Sequence, residues 1–222
     1  MTLWFAGLVA LVPLALAAAR VWAWTWGATA NELDTVWPGD ELSPGATAIT
    51  TRAVTIDAPA EAVWAWLVQI GQDRAGFYSY TWLENLARCV MPRVERLVPE
   101  WQQRTLGEGV WLARRDRYRG QARQVVVRID PGRVLTMASP LDWGRIVRRE
   151  SSRGGTWTFI VVPLGAERTR LVARSRGPES PGLWLRLFHL AVFAPVHFIM
   201  ERRMLLRIAW LAEHTTSARI AS

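Results

Sequence analysis

The stretch Thr51–Asn85, TRAVTIDAPAEAVWAWLVQIGQDRAGFYSYTWLEN, changes its periodicity several times and so decides how the rest of the chain is read. Val54 and Ile56 alternate with Ala53 and Thr55, the period of two that marks a strand. Asp57 and Pro59 then supply a helix start. A proline in the first turn gives up an N–H that has no partner there, and Asp57 and Glu61 suit the positive end of the helix. Val63, Trp66, Leu67 and Ile70 fall on one side of that helix, with Glu61, Ala65 and Gln69 opposite. Gly71 ends it, and Gly76 breaks the following loop. Phe77, Tyr78, Tyr80 and Trp82 come before Leu83 and Leu86, which continue a helical spacing. Strand, helix, glycine loop and aromatic helix in this order describe a sheet with a two-helix lid. Each ring taken alone reads as core packing; together, Tyr78, Tyr80 and Trp82 also suit the wall of a cavity.

The chain has 222 residues, enough for one well-buried domain and an appendage, and shows no solenoid-length repeat. Half its residues are hydrophobic and 14 are tryptophan, so it is no disordered polymer. Cys89 is alone and forms no internal disulfide; it reads as a packed thiol. All 27 basic residues are arginine, a bias that fits a GC-rich coding sequence, and the net charge of +8 draws the protein to anionic surfaces.

Leu3–Ala19 is a run of 17 uncharged residues, about 26 Å as a helix and just enough to cross a bilayer. Arg20 follows, then Trp22, Trp24 and Trp26, groups that suit a membrane boundary. Small residues at Ala15–Ala19 would also suit a cleaved signal peptide, but no arginine precedes the run. Residues 1–26 are therefore read as a single-pass anchor in the cell membrane, with Arg20 placing the following domain in the cytoplasm. Residues 27–49 read as a linker with a WPGDEL turn.

Further strands are expected at Val110–Arg115, Arg123–Ile129, Arg133–Ala138, Thr156–Val162 and Arg168–Arg176. The tip RRDRYRGQAR carries Arg114, Arg115, Arg117, Arg119 and Arg123, either a solvated hairpin or a contact for an anionic surface. In the last strand Arg168, Arg170, Arg174 and Arg176 share one face, which reads as wet, while Leu171 and Ala173 face a core. Residues 139–155 read as a loop or an irregular strand pair. From Pro181 to about Glu213 the chain reads as one helix with a stripe of Phe193, His197, Met200, Met204, Ile208 and Leu211, bent at Pro195. A membrane span over Leu187–Met200 competes with this reading, but that run has only 14 residues and is closed by Glu201, Arg202 and Arg203.

The ordered pieces IDAPAEAVWAWL, GQ, RAGFYSY and WLEN, with WGAT, PGDEL, VPEWQ, TWTF, RTRLVARSR and MERRMLL, resemble the SRPBCC superfamily of START-like, polyketide cyclase-like helix-grip proteins over roughly residues 27–213. The resemblance implies an α+β fold: a curved antiparallel sheet of six or seven strands around a long C-terminal helix, here with an added N-terminal transmembrane helix. The domain proper then spans 50–213, the 27–49 linker, matched through WGAT and PGDEL, packs on it, and 214–222 is a flexible tail. It also implies an apolar cavity. Its wall would draw on Trp66, Tyr78, Tyr80 and Trp82 from the lid, on Trp101, Trp111, Trp157 and Phe159 around the sheet, and on Phe193, His197, Met200 and Met204 from the helix.

The three histidines lack the i, i+4 spacing of a paired metal site, and no phosphate loop or nucleophile elbow is present, so no metal or cofactor is expected. No nucleic-acid-binding signature accompanies the positive charge. His197 reads either as a satisfied core histidine or as a polar group in the cavity, and Glu84 and Glu201 as buried partners of arginine. Two functions fit: a membrane-tethered carrier for a lipid or other hydrophobic small molecule, and a cyclase or dehydrase acting on a polyketide-like substrate in the same cavity. The absence of a coherent acid–base set favours the carrier. Oligomeric state is open.

Overall fold

The computed structural model describes residues 14–86 and 88–220, with side chains to residue 215. The alternation at Val54 and Ile56 extends back into an eight-residue strand, β1 (Ile49–Ile56). It pairs antiparallel with β6 (Thr169–Arg176), and the sheet continues through β5 (Thr156–Pro163), β4 (Val134–Ala138) and β3 (Arg123–Asp130) to β2 (Gly109–Trp111). All six strands are antiparallel, in the order β1-β6-β5-β4-β3-β2, so the first strand closes on the last. The strand expected over Val110–Arg115 is shorter, because the arginine-rich tip forms a loop with a 3₁₀ turn at Tyr118–Gly120.

The inward face carries Val54 and Ile56 of β1, Leu135 and Met137 of β4, Trp157, Phe159 and Val161 of β5, and Leu171 and Ala173 of β6. Against it pack α3 (Ala60–Leu67), which buries Val63, Trp66 and Leu67, and the long C-terminal helix. α3 runs into the loop closed by Gly71 and Gly76, whose backbones exchange two hydrogen bonds. Both have positive φ, and a Cβ on Gly76 would stand 2.4 Å from the Pro92 carbonyl oxygen, so only glycine fits there. Gln69, assigned to the polar side, is fully buried. α3 has already ended, and Gln69 turns inward to bond the Tyr78 hydroxyl, the Arg96 carbonyl and the Val98 N–H. The second lid helix, α4 (Thr81–Leu86), is short.

The outer face of β6 is not wet. Residues 26–48 lie over it, with a capped helix α2 (Ala30–Asp34). Arg174 is 5% exposed and donates to Asp40 at 2.8 Å, Arg176 pairs with Asp40 at 3.3 Å, and Arg170 pairs with Glu32 at 2.7 Å. Trp37 covers Ala53, Val134, Ile160 and Val172 on the same face. The segment 139–155 is neither loop nor strand pair at its start but a helix, α5 (Pro140–Val147), capped by Ser139, whose hydroxyl accepts from the Asp142 N–H.

The C-terminal helix is a continuous rod of α6 (Leu183–Phe188), a π-helical segment (His189–Phe193) and α7 (Ala194–Ile220), running past the expected end near Glu213. The π segment abuts Pro195: the Ala194 N–H reaches back to the His189 carbonyl, a wider turn that suits a ring with no N–H to give. Its two halves differ. Glu201, Met204, Leu205, Ile208, Leu211 and Ala212 are buried against the sheet and α3, whereas Leu183, Trp184, Leu185, Phe188, Val192 and Ile199 are exposed. Leu183–Thr215 is the one helix among the described residues long and apolar enough to cross a membrane, and only 6% of its most apolar window is buried.

Most of the expected N-terminal span lies outside the described residues. The described part, α1 (Leu14–Trp24), is apolar. It lies beside the rod, with Trp22 edge-on to Phe198 at 5.2 Å.

Candidate functional site

Where the rod leaves the sheet, its last buried layer is polar. Arg52 follows the inward register of Val54 and Ile56, and its side chain is 1% exposed, as is that of Glu201 on α7. One guanidinium nitrogen donates to Glu201 Oε2, and Trp157 donates its indole N–H to Oε1 at 2.6 Å. Arg52 Nε donates to the Ala23 carbonyl at 2.7 Å, which ties the N-terminal segment to the same point. Its Nη1 also lies 3.3 Å from His197 Nδ1. A guanidinium has no lone pair to offer, so Nδ1 is the acceptor and the ring proton sits on Nε2, 3.9 Å from Glu201 Oε1. Four charged or polar side chains from β1, β5 and α7 thus satisfy one another with little left over.

Around them the rings are stacked. Trp157 lies on Phe77 at 6.1 Å, tilts against Phe159 at 4.8 Å and meets His197 edge-on at 5.6 Å. Phe193 stacks on His197 at 5.4 Å. Deeper in, Phe159, Met137, Met91 and Met204 belong to one continuous buried cluster. The grip interior is occupied by the protein's own side chains, several of them methionines, which repack at low cost.

The expected wall residues separate into four groups. Trp66, Trp157, Phe159 and Met204 meet in the interior, with Tyr78 at its edge. Tyr78 is a tie, its hydroxyl donating to the Trp66 carbonyl and accepting from Gln69. Phe193, His197 and Met200 lie where the rod emerges, and Phe193 is 48% exposed. Tyr80 packs under Arg203 outside the core, and Trp82 is 69% exposed. Trp101 and Trp111 are elsewhere, lining a cleft of about 620 Å³ with Arg115 and Arg123. Arg114, Arg117 and Arg119 are exposed on the loop beyond, where Arg114 pairs with Asp116 at 3.0 Å.

The sequence reading passed over Arg52. A charge in register with Val54 and Ile56 was the available signal, since alternation alone sends it inward. Glu201 has its arginine, but Glu84 has none: it is 5% exposed, and its Oε2 has no hydrogen-bond partner among the described residues. Burial pushes the Glu84 carboxyl up to about 7. The neighbouring Cys89 thiol is also raised, by burial and then by Glu84.

Several solved structures are similar to this chain at low identity. The self-sacrificing resistance protein CalC from Micromonospora echinospora is 12% identical, with 75% of this chain and 95% of that one covered and a TM-score of 0.44. The Zhui aromatase/cyclase from Streptomyces sp. R1128 is 17% identical over 76% and 95% of the two chains, with a TM-score of 0.38. A norcoclaurine synthase point mutant from Thalictrum flavum, in complex with a transition-state analogue, is 14% identical over 76% and 96%, with a TM-score of 0.39. No curated protein matches in sequence. Residues 47–197, from just before β1 to the histidine of the polar layer, match the profile described as polyketide cyclase / dehydrase and lipid transport, and the chain belongs to that family within the SRPBCC superfamily.

Proposed function

We propose that the protein is a membrane-tethered carrier that takes a lipid or another apolar small molecule between its sheet and α7. Family membership supports an apolar ligand. The observation that carries the tethered form is the divided rod: one half is core, and the other offers unburied leucine, tryptophan and phenylalanine beside α1. Leu183–Ile199 is roughly 26 Å long as a helix, close to the thickness of a bilayer core. A molecule leaving the lipid along this half meets Phe193 and Met200 first, then the methionine-rich interior, and it passes Arg52, Glu201 and His197 on the way. Of those groups the His197 Nε2–H, 3.9 Å from Glu201 Oε1, is the donor that the layer leaves over, and it orients a polar head while the interior side chains move aside for the apolar part.

The enzymatic reading places a cyclase or dehydrase reaction in the same interior. It needs a free base, and His197 has its lone pair engaged by Arg52, so the carrier is preferred. Native mass spectrometry of the full chain, extracted gently from its own membranes, tests the proposal. An apolar molecule is expected to co-purify and to be retained in His197→Ala. If no such molecule is retained and no fluorescent lipid moves between vesicles, the carrier reading falls; retained ligand with loss of turnover in His197→Ala establishes the enzyme.

A further inference from the structure

The cleft of about 620 Å³ lies on the side of the sheet opposite the grip. Val110 of β2 and Val126 of β3 belong to the grip interior; Gly109 and Trp111 alternate with Val110 and therefore face outward, opposite Val125 and Arg123. α5 lies over β3 and adds Pro140 and Trp143, while the glycine loop after α3 adds Asp73 and Arg74, and Trp101 closes the rim. The Trp143 ring is seated against Gly107, where an added Cβ would stand 3.2 Å from it. Three indoles from separate elements thus converge on one space, within the size range of small-molecule sites, about 300–1,000 Å³.

Its charge is not balanced. Glu108 is held by Arg74 at 2.6 Å and Arg104 at 3.0 Å, and Asp73 by Arg115 at 3.3 Å. Arg123 lies 5.2 Å from the centre of the Trp111 ring and reaches no carboxylate among the described residues. Arg115 lies over the same ring at 5.0 Å. Of the groups lining the cleft, three are guanidiniums and two are carboxylates. A cation is repelled, a polyanion finds only Arg123 not already engaged by a carboxylate among the lining guanidiniums, and a neutral apolar molecule leaves the Arg123 donors to water.

We propose that this outer cleft binds a planar organic monoanion, an aromatic carboxylate, with its ring against Trp101 and Trp143 and its carboxylate on the Arg123 fork held by Trp111. Indole faces stack on a flat ring, and a guanidinium fixed over an aromatic surface presents paired donors that match a carboxylate. The site is independent of the carrier reading, because it shares no lining residue with the grip interior.

Isothermal titration of the full chain in detergent micelles, against protein-free micelles, tests it with three probes: 2-naphthoate, neutral 2-naphthamide and cyclohexanecarboxylate. Naphthoate is expected to bind saturably at one site, with the amide and the aliphatic acid each at least about tenfold weaker. Arg123→Gln is expected to weaken naphthoate by about tenfold with an unchanged unfolding temperature, and Trp143→Leu to weaken it as well. Equal binding of the amide, full binding to Arg123→Gln, or no saturable binding overturns the proposal. The Arg123→Gln result stands even if Trp143→Leu fails to fold.

Discussion

Arg52 donates in three directions, to Ala23, Glu201 and His197, from a position with almost no contact with water. Removing either member of such a pair strands a charge in a dry place. Arg52→Ala or Glu201→Ala should each cost about 3–5 kcal/mol, whereas replacing both by methionine should recover most of the loss; denaturant unfolding of the single and double variants measures this. Glu84 is the converse, a buried carboxyl without a cation. Its pKa rises from 4.5 to about 7 on folding, so the folded protein keeps a proton that the unfolded chain releases. This group costs nothing below 4.5, costs progressively more as pH climbs towards 7, and its full cost remains above that. Glu84→Gln should therefore raise the unfolding free energy at pH 8, by up to roughly 3 kcal/mol, and change little at pH 4. An equal effect at both pH values would contradict the assignment.

Among the elements, the segment before β1 does more than join. Asp40 is the common acceptor of Arg174 and Arg176, and Glu32 holds Arg170, so an acidic strap neutralises what the sequence presents as a basic face. Asp40→Asn keeps the shape and removes the charge. It should loosen residues 26–48, seen as faster hydrogen exchange there, while exchange in α7 is unchanged. Alternation placed the arginines of β6 on one face correctly but carried no information about what would lie on them. α5 was legible in principle: Ser139, Pro140 and Asp142 form a capped helix start, hidden by the arginines that follow. The β1–α3 unit was the most readable part, because its period changes from two to 3.6 at a proline. Gln69 escaped because helical periodicity was extended past the last turn of α3.

For the whole molecule, the sequence posed grip and span as rival readings of one helix; from Glu201 onward the rod is buried against the sheet, and the half before it is apolar and exposed. Glu201, Arg202 and Arg203 mark the border between the halves. In a Cys89→Ser background, Leu187→Cys in vesicles should react with a water-soluble maleimide only after detergent is added, whereas Arg203→Cys should react before it. Equal labelling of both would remove the membrane from the account of the rod. The interior was less legible than its walls. Periodicity tells which residues face inward, but not whether Met137, Phe159 and Trp157 leave room or fill it, because that depends on rotamers and volumes summed over every element. One consequence belongs to biosynthesis. The order of the sheet makes β1 wait for β6, and 149 positions separate Arg52 from Glu201. A ribosome needs on the order of 10 s to supply that length. Throughout that interval the nascent strand carries an unmatched guanidinium, and its docking surface does not yet exist. Maturation of the domain therefore waits for α7 to be delivered, and until then the nascent strand is exposed to chaperones and proteases.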